Sequence, residues 1–215
     1  MRKITIDELK EKYEELFSVK YKRVAWGYVP KLINGSKHIL VAERCKKDDP
    51  ERYGELVIPG GTLEEGEDYI DAAIREVGEE TGLNVRTALL EPKSLVNPIG
   101  YGFPTVLRER EKIISITDSN GNVFLYYLDS GKSYVGRMFL LEPVVGSSIR
   151  ESGESDARRP KWMPKDEVKK RRSDFTPACQ ILLELVEEFE TQEEPEGILI
   201  EDSLDKLYRE LGVNP

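Results

Sequence analysis

The chain has 215 residues, 39% of them apolar and 34% charged, with a formal net charge of −9. That length suffices for one well-buried domain with extensions, and no stretch approaches the roughly eighteen apolar residues of a membrane-spanning helix. The charge excess is local: residues 184–202 carry nine acidic residues and no basic one, so no general nucleic-acid surface is expected.

Taken in order, the chain opens with Thr5 and Glu8, which frame a capping box. Leu9, Tyr13, Leu16 and Phe17 then predict a short amphipathic helix within residues 1–20. This N-terminus is charged throughout and lacks the apolar region of an export signal, so a cytoplasmic location is expected. Residues 21–29 and 38–42 read as the strands of a hairpin around the Asn34-Gly35 turn. His38, the sole histidine, fits a strand better than a ligand or base role. Residues 56–58 predict a strand leading into Pro59-Gly60-Gly61. Ile70, Ala73, Ile74 and Val77, at i, i+3, i+4 and i+7, mark a helix that stops at Gly82. A strand over 85–90 follows.

An insertion occupies about 98–133. Residues 112–117 and 123–128 flank Asn120-Gly121 as a second hairpin. A lid, a dimer contact and a plain β-extension are its three readings. Residues 134–141 predict another strand and 146–157 a polar loop. Thr176-Pro177 opens a helix buried through Ile181, Leu182, Leu185, Val186 and Phe189. An acidic linker begins at 191, and Ser203 caps a last helix carrying Leu204, Leu207, Tyr208 and Leu211, with Gly212 at its end. Cys45 and Cys179 read as small buried side chains rather than a disulfide or zinc site. The basic run from Arg158 to Arg172 reads mainly as a solvated face, with pairing to the acidic tail or a phosphate contact as alternatives.

The chemistry concentrates in residues 61–83. On a helix, Glu76, Glu79 and Glu80 stand at i, i+3 and i+4, so their carboxylates share one face and repel by a few tenths of a kcal/mol per pair. A hard divalent cation such as Mg²⁺ would turn that repulsion into attraction and join the carboxylates to substrate phosphates. The competing reading is a solvated acidic face. Against it stand the adjoining apolar face, Arg75 four residues before Glu79, and a glycine loop leading into a helix start, a natural place for phosphate.

This segment resembles the Nudix box. Gly61, Glu67, Arg75, Glu76, Val77, Glu79, Glu80, Gly82 and Leu83 fill all of its defined positions. Weaker likeness runs from about 21 to about 190 and includes Trp162-Met163-Pro164 ahead of a short helix. The resemblance implies an α/β fold: an α/β/α sandwich with a mixed sheet over 21–190, carrying here a β-hairpin insertion and a C-terminal helical extension over 191–215. It implies a hydrolase that cleaves the diphosphate bond of a nucleoside diphosphate linked to another moiety, using Mg²⁺ or, as a substitute, Mn²⁺. Glu76, Glu79 and Glu80 match its metal-ligating glutamates, with a carbonyl of Gly60 or Gly61 as a further ligand. Arg75 matches the arginine that holds the glutamates, and Glu67 a glutamate that orients or binds metal through water. The general base is either Glu79 of the box or an acid on a late loop, where Glu154 is preferred over Glu151 and Asp156. Arg44, just after an apolar strand, contacts a terminal phosphate or is a surface arginine.

Pro98, fifteen residues after Leu83, matches a proline of members acting on ADP-ribose. Tyr101, eighteen after Leu83, matches a tyrosine of some dinucleoside polyphosphate hydrolases. ADP-ribose or a nucleotide sugar is the favoured substrate. Nucleoside triphosphates or dinucleoside polyphosphates are the alternative, and a non-catalytic nucleotide sensor is the alternative of another class. The partners expected are this small-molecule nucleotide and a second copy in a homodimer, without nucleic acid or membrane.

Overall fold

The computed structural model describes residues 2–47, 49–88, 98–151 and 156–213. The first half runs β1 (Arg2–Ile4), α1 (Ile6–Lys12), β2 (Lys22–Tyr28), β3 (Pro30–Ile33), β4 (Ser36–Arg44), β5 (Leu56–Val57), β6 (Gly60–Thr62), α2 (Tyr69–Thr81) and β7 (Val85–Thr87). The second half runs β8 (Val106–Glu109), β9 (Ile113–Thr117), β10 (Asn122–Tyr127), β11 (Ser133–Pro143), β12 (Ala157–Pro164), α3 (Lys165–Lys170), α4 (Pro177–Thr191), β13 (Ile198–Ile200) and α5 (Leu204–Leu211). The class is α/β, as expected. Contacts divide the chain into two units: Val24–Asn97 with Met138–Leu182, and Met1–Arg23 with Pro98–Arg137 and Leu183–Pro215. The N-terminal helix, the insertion and the C-terminal extension therefore share one unit.

In that shared unit β13 lies between β1, which it pairs in parallel, and β8, which it pairs antiparallel. β8, β9, β10 and the start of β11 continue antiparallel. The hairpin of β9 and β10 turns where Asn120-Gly121 predicts it, with Gly121 at φ 73°. The capping box forms: Thr5 Oγ1 accepts from the Glu8 amide and Glu8 Oε2 from the Thr5 amide. The helix behind it is shorter than expected. Tyr13 leaves helical geometry (φ −139°, ψ 63°), and Glu14–Phe17 form a separate 3₁₀ turn that buries Leu16. One apolar core joins Ile6 and Leu9 of α1, Leu207 and Leu211 of α5, and Leu107, Ile116 and Phe124 of the sheet. Ser203 and Gly212 cap α5 as expected.

In the other unit β4 pairs with β3 across Asn34-Gly35, both at positive φ. The hairpin partner of 38–42 is thus not the strand over 21–29. That strand stops at Tyr28, and Pro30 starts a new one, as a fixed φ and a missing N–H favour. β4 also pairs with β5 and β12, and β2 pairs with β6. The expected strand over 85–90 is observed over Val85–Thr87, and residues 89 and 90 lie outside the described residues. Helix α2 buries Tyr69, Ala72, Ala73 and Val77 against Ala25, Leu40, Phe139 and Leu141. Gly27 permits that approach, since a Cβ there would lie 2.9 Å from Leu141 Cδ1 and overlap Val77. Cys179 is buried and accepts from the Ile58 amide at 3.2 Å, whereas Cys45 is only half-buried; neither is in a disulfide.

Candidate metal and diphosphate site

Helix α2 brings the box side chains together. Gly82, left-handed at φ 67°, ends it with its N–H on the Gly78 carbonyl, so Glu76, Glu79 and Glu80 fall in its last two turns. The Arg75 guanidinium organises three box carboxylates. Its Nε and Nη2 donate to the two oxygens of Glu67 at 2.8 and 3.0 Å. Its Nη1 donates to Glu76 Oε1 and Glu79 Oε2, both at 2.9 Å, and Nη2 reaches the Thr62 carbonyl at 3.1 Å. Those five bonds match the five N–H groups of an arginine. Glu67 is held below the usual carboxylate range by Arg75, and Arg75 is driven upward by Glu67.

Glu76 and Glu80 are placed differently. The Glu76 carboxylate lies against Gly61: a Cβ on that glycine would stand 2.5 Å from its Cδ and 2.7 Å from its Oε2. Glu80 lies against Gly60, whose amide donates to its Oε2 at 3.0 Å. Glu80 is 6% exposed. Burial, then the Glu76 charge, push it up to about 8. Burial also raises Glu76, against the pull of Arg75. The bare Cα of Gly61 and the amide of Gly60 thus seat two carboxylates in a low-dielectric site that one arginine, already shared with two other acids, does not neutralise.

Among the described residues no group of three or more Asp, Glu, His or Cys forms a ready-made metal cage. The donor set nonetheless fits a hard divalent cation: carboxylate oxygens in excess of positive charge, beside glycine backbone, with no imidazole or thiolate ligand needed. Gly60, whose carbonyl or that of Gly61 is the expected further ligand, meets Glu80 through its N–H.

The outlying expectations fare unevenly. Arg44 ion-pairs with Asp49 at 2.8 Å, and both Arg44 and Asp156 act on Glu80 electrostatically. Neither Asp49 nor the Thr62 carbonyl carries a motif that would have marked it. Glu154 lies outside the described residues; Asp156 pairs with Lys46 at 2.9 Å, and Glu151 Oε1 accepts from the Arg159 amide. Pro98 and Tyr101 belong to the other unit. Pro98 is buried and accepts from the Tyr101 amide, and Tyr101 is 51% exposed.

The family description "NUDIX domain" matches residues 22–181. The chain belongs to the NUDIX family. It is 34% identical over 97 residues to Nudix hydrolase 26, chloroplastic, of Arabidopsis thaliana, a match covering 45% of this chain and 41% of that protein. The chain therefore spans less than half the length of that curated relative. Among solved structures, a NUDIX hydrolase from Nitrosomonas europaea superposes with a TM-score of 0.54 at 20% identity, over 81% of this chain and 92% of that one. The NUDIX domain of Shewanella oneidensis NrtR, solved with ADP ribose, gives 0.51 at 14% identity, over 86% and 98%. These likenesses establish the Nudix-type fold.

Proposed function

We propose that this NUDIX protein is a divalent-metal-dependent hydrolase that cleaves the diphosphate bond of a nucleoside diphosphate linked to another moiety. The observation that carries the reading is the pair Glu76 and Glu80, seated against Gly61 and Gly60 with their affinity for protons raised. When bound there, Mg²⁺, or Mn²⁺ in its place, supplies charge neutralisation for the diphosphate and acidity for a water molecule. The protein's own part is to hold Glu76 and Glu80 as ligands through fixed backbone contacts. Arg75 keeps Glu67, Glu76 and Glu79 from drifting into solvent. Glu79, 56% exposed and the most accessible of the three carboxylates on Arg75, takes the water's proton at its carboxylate. Glu154 is the alternative base. Arg44 contacts the terminal phosphate when it leaves Asp49.

ADP-ribose or a nucleotide sugar is the favoured substrate, supported by the spacing of Pro98 from the box and by the ADP ribose held by the NrtR domain. Pro98 would act by shaping the 98–101 turn, and Tyr101 offers an exposed ring. The full chain, incubated with ADP-ribose, ATP and diadenosine tetraphosphate with and without Mg²⁺, is expected to release AMP from ADP-ribose only with the metal. Turnover of none of the three, with tight nucleotide binding, would replace the hydrolase by a sensor. Light scattering tests the homodimer and fractionation the cytoplasmic location.

A further inference from the structure

The box unit holds a second polar cluster that the hydrolytic reading leaves unused. β12 pairs with β4 in regular register at Arg158↔Glu43 and again at Lys161↔Val41, with an irregularity between. Arg159 sits in that bulge at φ 49°. Two other non-glycine residues share positive φ among those described, Asn34 and Gln192; they lie in an Asn-Gly turn and just past the end of α4. Arg159 is neither in a tight turn nor at a helix end, and it precedes Pro160, which favours extended backbone. Such strain costs on the order of 1–3 kcal/mol and persists where the surroundings impose it, often at ligand sites. Bulges of this kind re-aim side chains.

What the bulge presents is three cations against two carboxylates, Glu43 and Glu151, the latter accepting from the Arg159 amide. Arg158, Arg159 and Lys161 approach the one Glu43 carboxylate, at 4.0, 3.2 and 3.7 Å. Arg159 and Lys161 remain 64% and 40% exposed. Among the described residues Arg158 Nε is buried without a hydrogen-bond partner, and its guanidinium stands 4.5 Å over the Tyr53 ring. That ring is 49% exposed. A donor lacking an acceptor, two accessible cations sharing one carboxylate, and an open aromatic together lack only an anion with a flat group attached.

We propose that the β12 bulge is a nucleotide-phosphate site, separate in its residues from the box. The phosphate takes the place of part of Glu43's hold on Arg159 and Lys161 and supplies an acceptor for Arg158, as charge-assisted bonds favour. The base lies on Tyr53. The strained φ of Arg159 keeps its side chain on the same side as its neighbours' charge. The site rests on the diphosphatase reading only for the choice of a nucleotide as its ligand, and its occupancy does not require the metal.

The test separates the two. With EDTA present at low salt, the full chain is titrated by calorimetry with AMP and with inorganic pyrophosphate. Both are expected to bind, AMP the tighter. Tyr53→Ala should weaken AMP and leave pyrophosphate unchanged. Arg159→Gly should weaken both about five- to tenfold, the loss of one charge-assisted contact, while the melting temperature stays level or rises as strain is relieved. Glu43→Gln should tighten both by removing the competing carboxylate. Glu80→Gln, in the box, should leave all of this binding intact, so loss of turnover and loss of this site are told apart. Native affinity for AMP in Arg159→Gly and in Arg158→Ala, or no binding of either ligand by the native chain, overturns the proposal.

Discussion

Two buried carboxylates, one in each unit, are treated in opposite ways. Asp118, fully buried between β9 and β10, receives four donors: the amides of Asn120 and Asn122 on Oδ1, and Asn122 Nδ2 and the Tyr208 hydroxyl on Oδ2, at 2.7–2.9 Å. Arg137 Nε in turn donates to Asn122 Oδ1 at 2.7 Å. Glu80 is nearly as buried, yet among the described residues its one donor is the Gly60 amide, and the charge of Glu76 beside it, of its own sign, outweighs the pull of Arg44. A buried charge with four donors is a structural joint, here tying α5 to the hairpin. A buried charge with one donor beside a like charge is unstable until something positive arrives. The same residue class is thus fully hydrogen-bonded in one unit and left beside a like charge with a single backbone donor among the described residues in the other.

The sharpest way to break this contrast is Glu80→Gln. The amide keeps the shape and removes the negative charge, so turnover with Mg²⁺ should fall by about 10³ or more while the fold stays intact. The pH dependence should separate as well. Glu80's affinity for protons is raised in the folded chain, from 4.5 to about 8. The metal-free protein therefore gains stability from this group below about 4.5 and loses it as pH rises toward 8. Metal-free melting temperatures should decline over that window in the native chain and decline less in Glu80→Gln. Near-native turnover, or identical pH slopes, would mean that Glu80 is no ligand.

Arg75→Ala comes next. It releases Glu67, Glu76 and Glu79 together, so their mutual repulsion is no longer opposed. Activity should fall about 10- to 100-fold, as loss of a group that orients ligands typically costs, with half-saturating Mg²⁺ shifted upward. Arg75→Lys should rescue little, because an ammonium cannot reach five acceptors at once. A variant whose metal dependence matched the native curve would reduce Arg75 to a surface ion pair.

How much of this was legible follows from where the residues sit along the chain. The box is contiguous, and its glutamates, glycines and arginine stand at helical spacing, so α2, its Gly82 cap and the Arg75 cluster could all be read from the sequence. Asn120-Gly121 likewise gave away the β9–β10 hairpin. The short strands β1, β6, β8 and β13, of three or four residues, hold too few alternations to signal themselves. In β6 the sequence Gly60-Gly61-Thr62 looks like loop and becomes strand only because β2 offers its edge. Pairings across long separations were invisible: Arg108 with Glu188, and Glu43 with Arg158 and Arg159. In the sequence the basic run reads mainly as a solvated face, with pairing to the acidic tail or a phosphate contact as alternatives. In the fold its Arg158, Arg159 and Lys161 go to Glu43, Arg171 goes to Glu167 and Asp174, and the tail is met by Arg108, Arg110 and Lys3.

In the other unit, Tyr208→Phe tests the structural half of the comparison. It removes the donor to Asp118 Oδ2 and an acceptor for Asn120 and Asn122, and keeps the ring on Phe124. A buried group left short of a partner costs about 1–3 kcal/mol, read by denaturant unfolding, with kcat unchanged. The same tyrosine should resist ionisation, since burial and Asp118 push it up to about 12. A loss of activity equal to the loss in Glu80→Gln would show that the Asp118 network belongs to the reaction and not to the fold.

The smallest effect belongs to the charges that neither fold nor function needs buried. Lys3 and Glu201 join β1 to the segment after β13 at 2.7 Å, but both side chains are about half exposed, 60% and 46%. Water screens such a pair, and ordering two long side chains offsets much of its attraction, so Lys3→Ala should change stability by no more than about 0.5 kcal/mol. The backbone pairing of β1 with β13, from Arg2↔Ile198 to Ile4↔Ile200, and the burial of Ile4, Ile6 and Leu9 carry that junction instead. Ile6→Ala, which removes a fully buried side chain from the core shared by α1 and α5, should cost about 2–5 kcal/mol in the same measurement. If the two variants lost similar amounts, the junction would depend on its ion pairs, and the distinction between satisfied and unsatisfied charge would matter less than the count of charges at the surface.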